Sequence, residues 1–107
     1  MTQRITCFLC ALLVALLARA EAEVVLLDVR SAQEYAADHV AGAVNIPHDV
    51  VRERISEYVP GQATTIYVYC RSGKRAGVAL EALVAAGYAT VVNLGGLEQA
   101  RARWQQE

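Results

Sequence analysis

The chain is poor in the residues that staple small scaffolds together. Three of its 107 residues are cysteine, and two of these, Cys7 and Cys10, fall within the first ten. Beyond that opening stretch Cys70 stands alone. A disulfide framework within the body of the chain is therefore excluded. Two prolines and seven glycines are too few for a Pro- or Gly-rich linker, and repeats and low-complexity stretches are missing as well. Charge of one sign is also lacking: ten Lys and Arg face eleven Asp and Glu, a formal net charge of −1. Without a basic surplus, nucleic acid and anionic membrane are excluded as general partners. The longest apolar run, Ile5 to Ala18, falls short of the roughly 20 residues that a membrane-spanning helix needs.

What is present begins with a leader. Met1 to Arg4 is short and basic, the apolar run follows, and Ala18-Arg19-Ala20 and Ala20-Glu21-Ala22 both match a small-x-small cleavage pattern. Residues 1–20 are thus expected to be a secretory signal peptide cut after Ala20 or Ala22. The mature protein is expected to be periplasmic and free of the membrane. The residues before Cys10 lack the small residue of a lipoprotein site, and Cys7-x-x-Cys10 lies wholly in the discarded segment. Removal of residues 1–20 leaves 87 residues, near the lower size at which one core suffices. Residues 23–107 read as one domain. Because Arg4 and Arg19 leave with the leader, eleven acidic residues then face eight basic ones, a balance of −3. A lone thiol exported to an oxidising compartment is a residue kept for use.

The body alternates strand and helix patterns. Val24 to Val29 is a continuous apolar run, as in a buried parallel strand. Ser31 and Glu34 have the spacing of a capping box for a short helix through Ala37. Ala43 to Asn45 reads as a short strand closed by Ile46-Pro47. A helix is expected from His48-Asp49 to about Tyr58, capped by Asp49, with Val51, Ile55 and Tyr58 facing inward. Thr65 to Tyr69 is a β-branched and aromatic strand. Leu80, Leu83, Val84 and Gly87 then mark a helix over Ala76 to Ala86, with Gly87 as its left-handed stop. Thr90 to Leu94 is a last strand, and Leu97, Ala100, Arg101 and Trp104 give a closing helix its inner face. Such alternation predicts an α/β fold with a mainly parallel sheet covered by helices on both faces.

Cys70 sits where a strand ends and a helix begins, within Tyr69-Cys70-Arg71-Ser72-Gly73-Lys74-Arg75-Ala76. Free N–H groups of the helix start, its positive dipole end and three cations all face the sulfur, and each favours thiolate over thiol. In parallel sheets function collects at the carboxyl ends of strands, where both Cys70 and the Asp28/Arg30 pair fall. Arg71, Lys74 and Arg75 form a local anion site on an otherwise acidic body. Asp28 and Arg30 fit a loop-fixing salt bridge with Glu34 better than a substrate site. His39 and His48 are assigned to packing or surface roles rather than to a Cys/His dyad.

Several segments taken together resemble the rhodanese family. They are Leu27-Asp28-Val29-Arg30, Glu34-Tyr35, His39 through Pro47, Val68 through Ala76, Ala86-Gly87-Tyr88 and Asn93-Leu94-Gly95-Gly96-Leu97. The likeness covers residues 24–104 and is greatest to small exported single-domain members of the phage-shock type. It implies a rhodanese fold and thiosulfate sulfurtransferase activity, with the family's catalytic cysteine at Cys70. Its substrate loop falls on Arg71, Ser72, Gly73, Lys74 and Arg75. Two departures stand out. There is no room after cleavage for the extra first strand of larger members, so a sheet of about four strands is expected. Ala100 also stands where the family often has tryptophan, and Trp104, one helical turn later, is expected to take over the packing.

The implied chemistry is attack by the Cys70 thiolate on the outer sulfur of thiosulfate, departure of sulfite, and transfer from the anionic persulfide to cyanide or a thiol. It requires no metal and no cofactor, and the expected form is a monomer. Two alternatives use the same loop: a persulfide carrier, and a non-enzymatic rhodanese-like binding module. A cysteine phosphatase or arsenate reductase is disfavoured, because that chemistry needs an arginine six residues after the cysteine and position 76 is alanine.

Overall fold

The computed structural model describes residues 23–105, so the leader expected at residues 1–20 lies outside the described residues. Strands β1 (Val24–Asp28), β2 (Val44–Asn45), β3 (Thr65–Tyr69) and β4 (Thr90–Asn93) alternate with helices α1 (Ala32–Ala37), α2 (Val51–Tyr58), α3 (Lys74–Ala85) and α4 (Leu97–Trp104). The four strands form one parallel sheet in the order β2-β1-β3-β4, the number and direction that the sequence predicts. In register, Asp28 lies beside both Asn45 and Tyr69, and Val68 beside Asn93. All four carboxyl ends therefore open on the same rim.

The two-residue period of the strands divides the core. Leu27, Val29, Ile66, Val68 and Cys70 face one side, against Val51 and Ile55 of α2 and Ala76, Ala79 and Leu83 of α3. Leu26 and Tyr69 face the other, with Leu94 and Ala100 buried beside them and Tyr35, Leu97 and Trp104 packed around. Helices thus cover both faces. Trp104 meets the Tyr67 ring edge-on at 5.6 Å and packs against the cluster that holds Ala100.

Helix faces differ from expectation by about one position. Helix α2 starts at Val51 with Val50 at its N-cap and no side-chain cap. Asp49 sits instead in the preceding turn, closed by the Val50 N–H donating to the Pro47 carbonyl at 3.0 Å. Tyr58 is exposed rather than inward, and Val59 closes the buried face in its place. On α3 the inward residues are Ala76, Ala79 and Leu83, while Val84 is exposed. Small alanines let the helix start approach the sheet closely, and the bulkier Val84 is turned away. Arg101 leaves the inner face of α4 to pair with Glu98 and Asp38 at the surface.

Candidate active site

Strands β1 and β3 are neighbours, yet β1 leads into α1 on one face and β3 into α3 on the other. Such a divergence leaves a crevice at the carboxyl end of the sheet, the usual place for a ligand in open α/β folds. Cys70, the residue after β3, lies at that carboxyl end.

The loop from Cys70 to Arg75 is shaped by hydrogen bonds at both ends. The Cys70 N–H donates to the Gly95 carbonyl at 3.0 Å. The Gly73 N–H donates to Cys70 Sγ at 2.9 Å, the interaction that a sulfur carrying negative charge calls for. Gly73 is the N-cap of α3 and makes no side-chain cap, so no side-chain oxygen of the cap residue competes for the amides of the first turn. Its φ of +97° suits glycine, and an added Cβ would press on Gly95 Cα at 3.3 Å. Asn93 clamps the two loops together. Its Nδ2 donates to the Gly73 carbonyl at 3.0 Å, and its Oδ1 accepts from the Gly95 N–H at 2.8 Å. Asn93, assigned no role on sequence grounds, is therefore part of the site. An Asn at the end of a strand, just before Gly-Gly, is the signal that marks it.

Cys70 is fully buried, whereas Arg71, Ser72 and Lys74 are exposed. Among the described residues Arg71 and Lys74 make no ion pair. Arg75 is differently placed: its Nη1 and Nη2 donate to Glu34 Oε1 and Oε2 at 2.7 and 2.9 Å, a two-pronged pair spanning from α3 to α1. Glu34 is in turn fixed by the capping box foreseen in the sequence, with Ser31 N and Oγ donating to Oε1 at 3.2 and 3.1 Å. Arg75 raises no competition for its proton, since Glu34 holds the guanidinium charged and the Cys70 sulfur adds a smaller pull.

Beneath the loop lies a buried ionic network. The Asp28 carboxylate accepts from Arg30 Nη2 at 2.6 Å, from Arg30 Nε, from the Arg30 N–H and from the Tyr69 hydroxyl at 2.8 Å. The Tyr69 hydroxyl itself accepts from the Val40 N–H, and Arg30 Nη2 also reaches the Asp38 carbonyl. Asp28 and Tyr69 are wholly enclosed and Arg30 is 5% exposed. Burial, with Asp28 beside it, pushes the Tyr69 hydroxyl far above its ordinary range, so it stays a donor. These groups spend their hydrogen bonds on one another and on the backbone of Val40 and Asp38, which makes them a foundation rather than a binding site. The salt bridge expected to join Glu34 to them is not formed: Glu34 turns to Arg75, and Arg30 to Asp28.

Neither histidine approaches dyad geometry. His39 Nδ1 pairs with the Tyr35 carbonyl at 2.7 Å and its ring stacks on Tyr35. His48 lies in the β2–α2 turn, its backbone N–H donating to the Val29 carbonyl. Ala76 is fully buried against the sheet, so the position at which a phosphatase needs its arginine is part of the core.

The Glu34–Arg75 pair makes a pH prediction. Hydrogen bonding to Arg75 lowers the Glu34 carboxyl from 4.5 to about 2. A depressed carboxyl stabilises the fold above its unfolded value and loses that contribution as the pH falls through its folded one. The stability gap between wild type and Glu34→Gln should therefore be constant above about pH 4.5 and vanish toward pH 2. Denaturant melts across that range check it; a gap that survives to pH 2 unchanged rules out the pairing.

Comparison with known proteins agrees with this geometry. The rhodanese-like domain model matches residues 12–103. Thiosulfate sulfurtransferase PspE of Escherichia coli (strain K12) is 46% identical over 72 residues, which is 67% of this chain and 69% of PspE. The putative sulfur carrier protein YrkF of Bacillus subtilis (strain 168) is 35% identical over 69 residues, 64% of this chain but little more than a third (36%) of YrkF. Among solved structures, a rhodanese with anions from E. coli superposes with a TM-score of 0.69 at 43% identity, covering 71% of this chain and 89% of that one.

Proposed function

The chain belongs to the rhodanese family, and on that premise we propose that it is a thiosulfate sulfurtransferase working through a persulfide on Cys70. The observation that carries the proposal is the Gly73 N–H aimed at Cys70 Sγ from the N-terminus of α3. A negative charge on the sulfur meets that donor already in place, at the positive end of the helix.

Thiosulfate approaches from the exposed side of the loop, drawn by Arg71 and Lys74. The Cys70 thiolate attacks the outer sulfur, the S–S bond of thiosulfate breaks, and sulfite departs with the bonding electron pair. Cyanide or a thiol then takes the outer sulfur and the thiolate is restored. Proton abstraction is not part of either half, which fits a loop with no histidine at the sulfur, and no step calls for a metal or cofactor. Asn93 is the positioning residue, since it ties Gly73, which donates to the sulfur, to Gly95, which accepts from the Cys70 N–H. A persulfide carrier would share the first half and differ only in its acceptor, a reading that the likeness to YrkF keeps open. Export by residues 1–20, with a monomeric periplasmic enzyme as the product, completes the proposal.

The loop cations provide a direct test. Arg71→Ala and Lys74→Ala should each raise KM for thiosulfate by about twofold to fivefold, the worth of an exposed charge. The effect should shrink as salt is added. Steady-state rates at low and high ionic strength measure it. Unchanged kinetics in both variants would leave the two side chains as mere solvated cations.

A further inference from the structure

The loop carries three cations, yet the structure treats them unequally. Arg71 and Lys74 are exposed and make no ion pair among the described residues, whereas Arg75 gives both guanidinium prongs to Glu34. Glu34 cannot drift away: Ser31 binds the same carboxylate through its N–H and hydroxyl, and the first turn of α1 holds both. The pair is about 30% exposed on either side, so it is neither sealed in the core nor freely solvated. Arg75 nonetheless stands in the first turn of the helix whose N-cap amide, that of Gly73, donates to Cys70 Sγ. A carboxylate has thus been built beside a site that receives anions, through a loop cation that would otherwise serve them.

The geometry points to Glu34 as a specificity-determining residue: by neutralising Arg75 it withholds one loop cation from the donor and biases Cys70 toward singly charged sulfane donors over doubly charged thiosulfate. This rests on the sulfurtransferase reading. Thiosulfonates are the class so favoured. Their outer sulfur undergoes the same attack, the S–S bond breaks, and a sulfinate leaves with the electron pair in place of sulfite. A donor with one charge less depends less on the missing cation.

The test compares kcat/KM for thiosulfate with kcat/KM for methanethiosulfonate, a monoanion, in the full-length protein. Glu34→Gln should raise the thiosulfate-to-thiosulfonate ratio about threefold to tenfold, the Coulomb worth of one more unit charge a few ångströms away at a wet surface. Arg75→Ala leaves the Glu34 carboxylate unpaired beside the loop and should lower the ratio, and Glu34→Gln with Arg75→Ala, again neutral, should return it to the wild-type value. Asp49 lines the same cavity of about 390 Å³ as Arg75 and is the carboxylate able to recapture it. Glu34→Gln is therefore also made with Asp49→Asn, and a rise in either background supports the inference. A loosened loop would slow both donors together, so a ratio unmoved or lowered in both backgrounds overturns it. If neither donor leaves sulfur on the wild-type Cys70, it is the sulfurtransferase reading that fails.

Discussion

Cys70→Ser is expected to remain folded and to release no thiocyanate from thiosulfate and cyanide. The serine hydroxyl would take the place of Sγ and accept the same Gly73 N–H, so the loop keeps its main anchor. Its cost in a buried site should be about 1–3 kcal/mol. A neutral hydroxyl is a poor nucleophile without a base, and His39 is occupied by Tyr35. Loss of turnover should therefore be at least on the order of 10⁴-fold, as for removal of a covalent nucleophile. Rates are measured together with circular dichroism and a denaturant melt, so that inactivity is separated from unfolding. A folded Cys70→Ser protein that still makes thiocyanate would remove Cys70 from the chemistry.

Asp28→Ala should show the largest loss of stability. It strips Arg30, 5% exposed, of its carboxylate and leaves the Tyr69 hydroxyl without its acceptor. Breaking one side of a buried ion pair costs about 3–5 kcal/mol, because the remaining charge stays where water cannot reach it. A domain of this size has on the order of 5–10 kcal/mol in all, so the variant should be only marginally folded at room temperature. Tyr69→Phe removes one hydroxyl from the same network and should cost about 1–3 kcal/mol. Urea midpoints for the two variants give the comparison. If Asp28→Ala instead melts like wild type and raises KM for thiosulfate, Asp28 belongs to the binding site and not to its foundation.

Much of this architecture is legible in the residues. The apolar run at Val24, the β-branched strand before Cys70 and the helical spacing after it give four parallel strands with helices on both faces, as found. Ser31 and Glu34 form the capping box that their spacing requires. Side-chain partners are less legible, because sequence distance does not measure distance across the rim. Glu34 is four residues from Arg30 and 41 from Arg75, yet it pairs with Arg75, since α1 and α3 both begin at that rim. The role of Asn93 is illegible for the same reason: its two partners, Gly73 and Gly95, are joined only when β3 and β4 lie side by side. Helix faces failed where size overrode period. Ala76 and Ala79 are small enough to let α3 close on the sheet, and that rotation carries Val84 into solvent.

One mass measurement addresses the persulfide directly. The chain lacking residues 1–20 is incubated with thiosulfate, desalted and weighed intact, then treated with cyanide and weighed again. Cys70 is the one thiol among the described residues, so the predicted result is a gain of one sulfur atom at that site. Cyanide should restore the original mass as thiocyanate appears. A protein that keeps its mass in thiosulfate, while its Cys70 thiol remains free, would contradict the account.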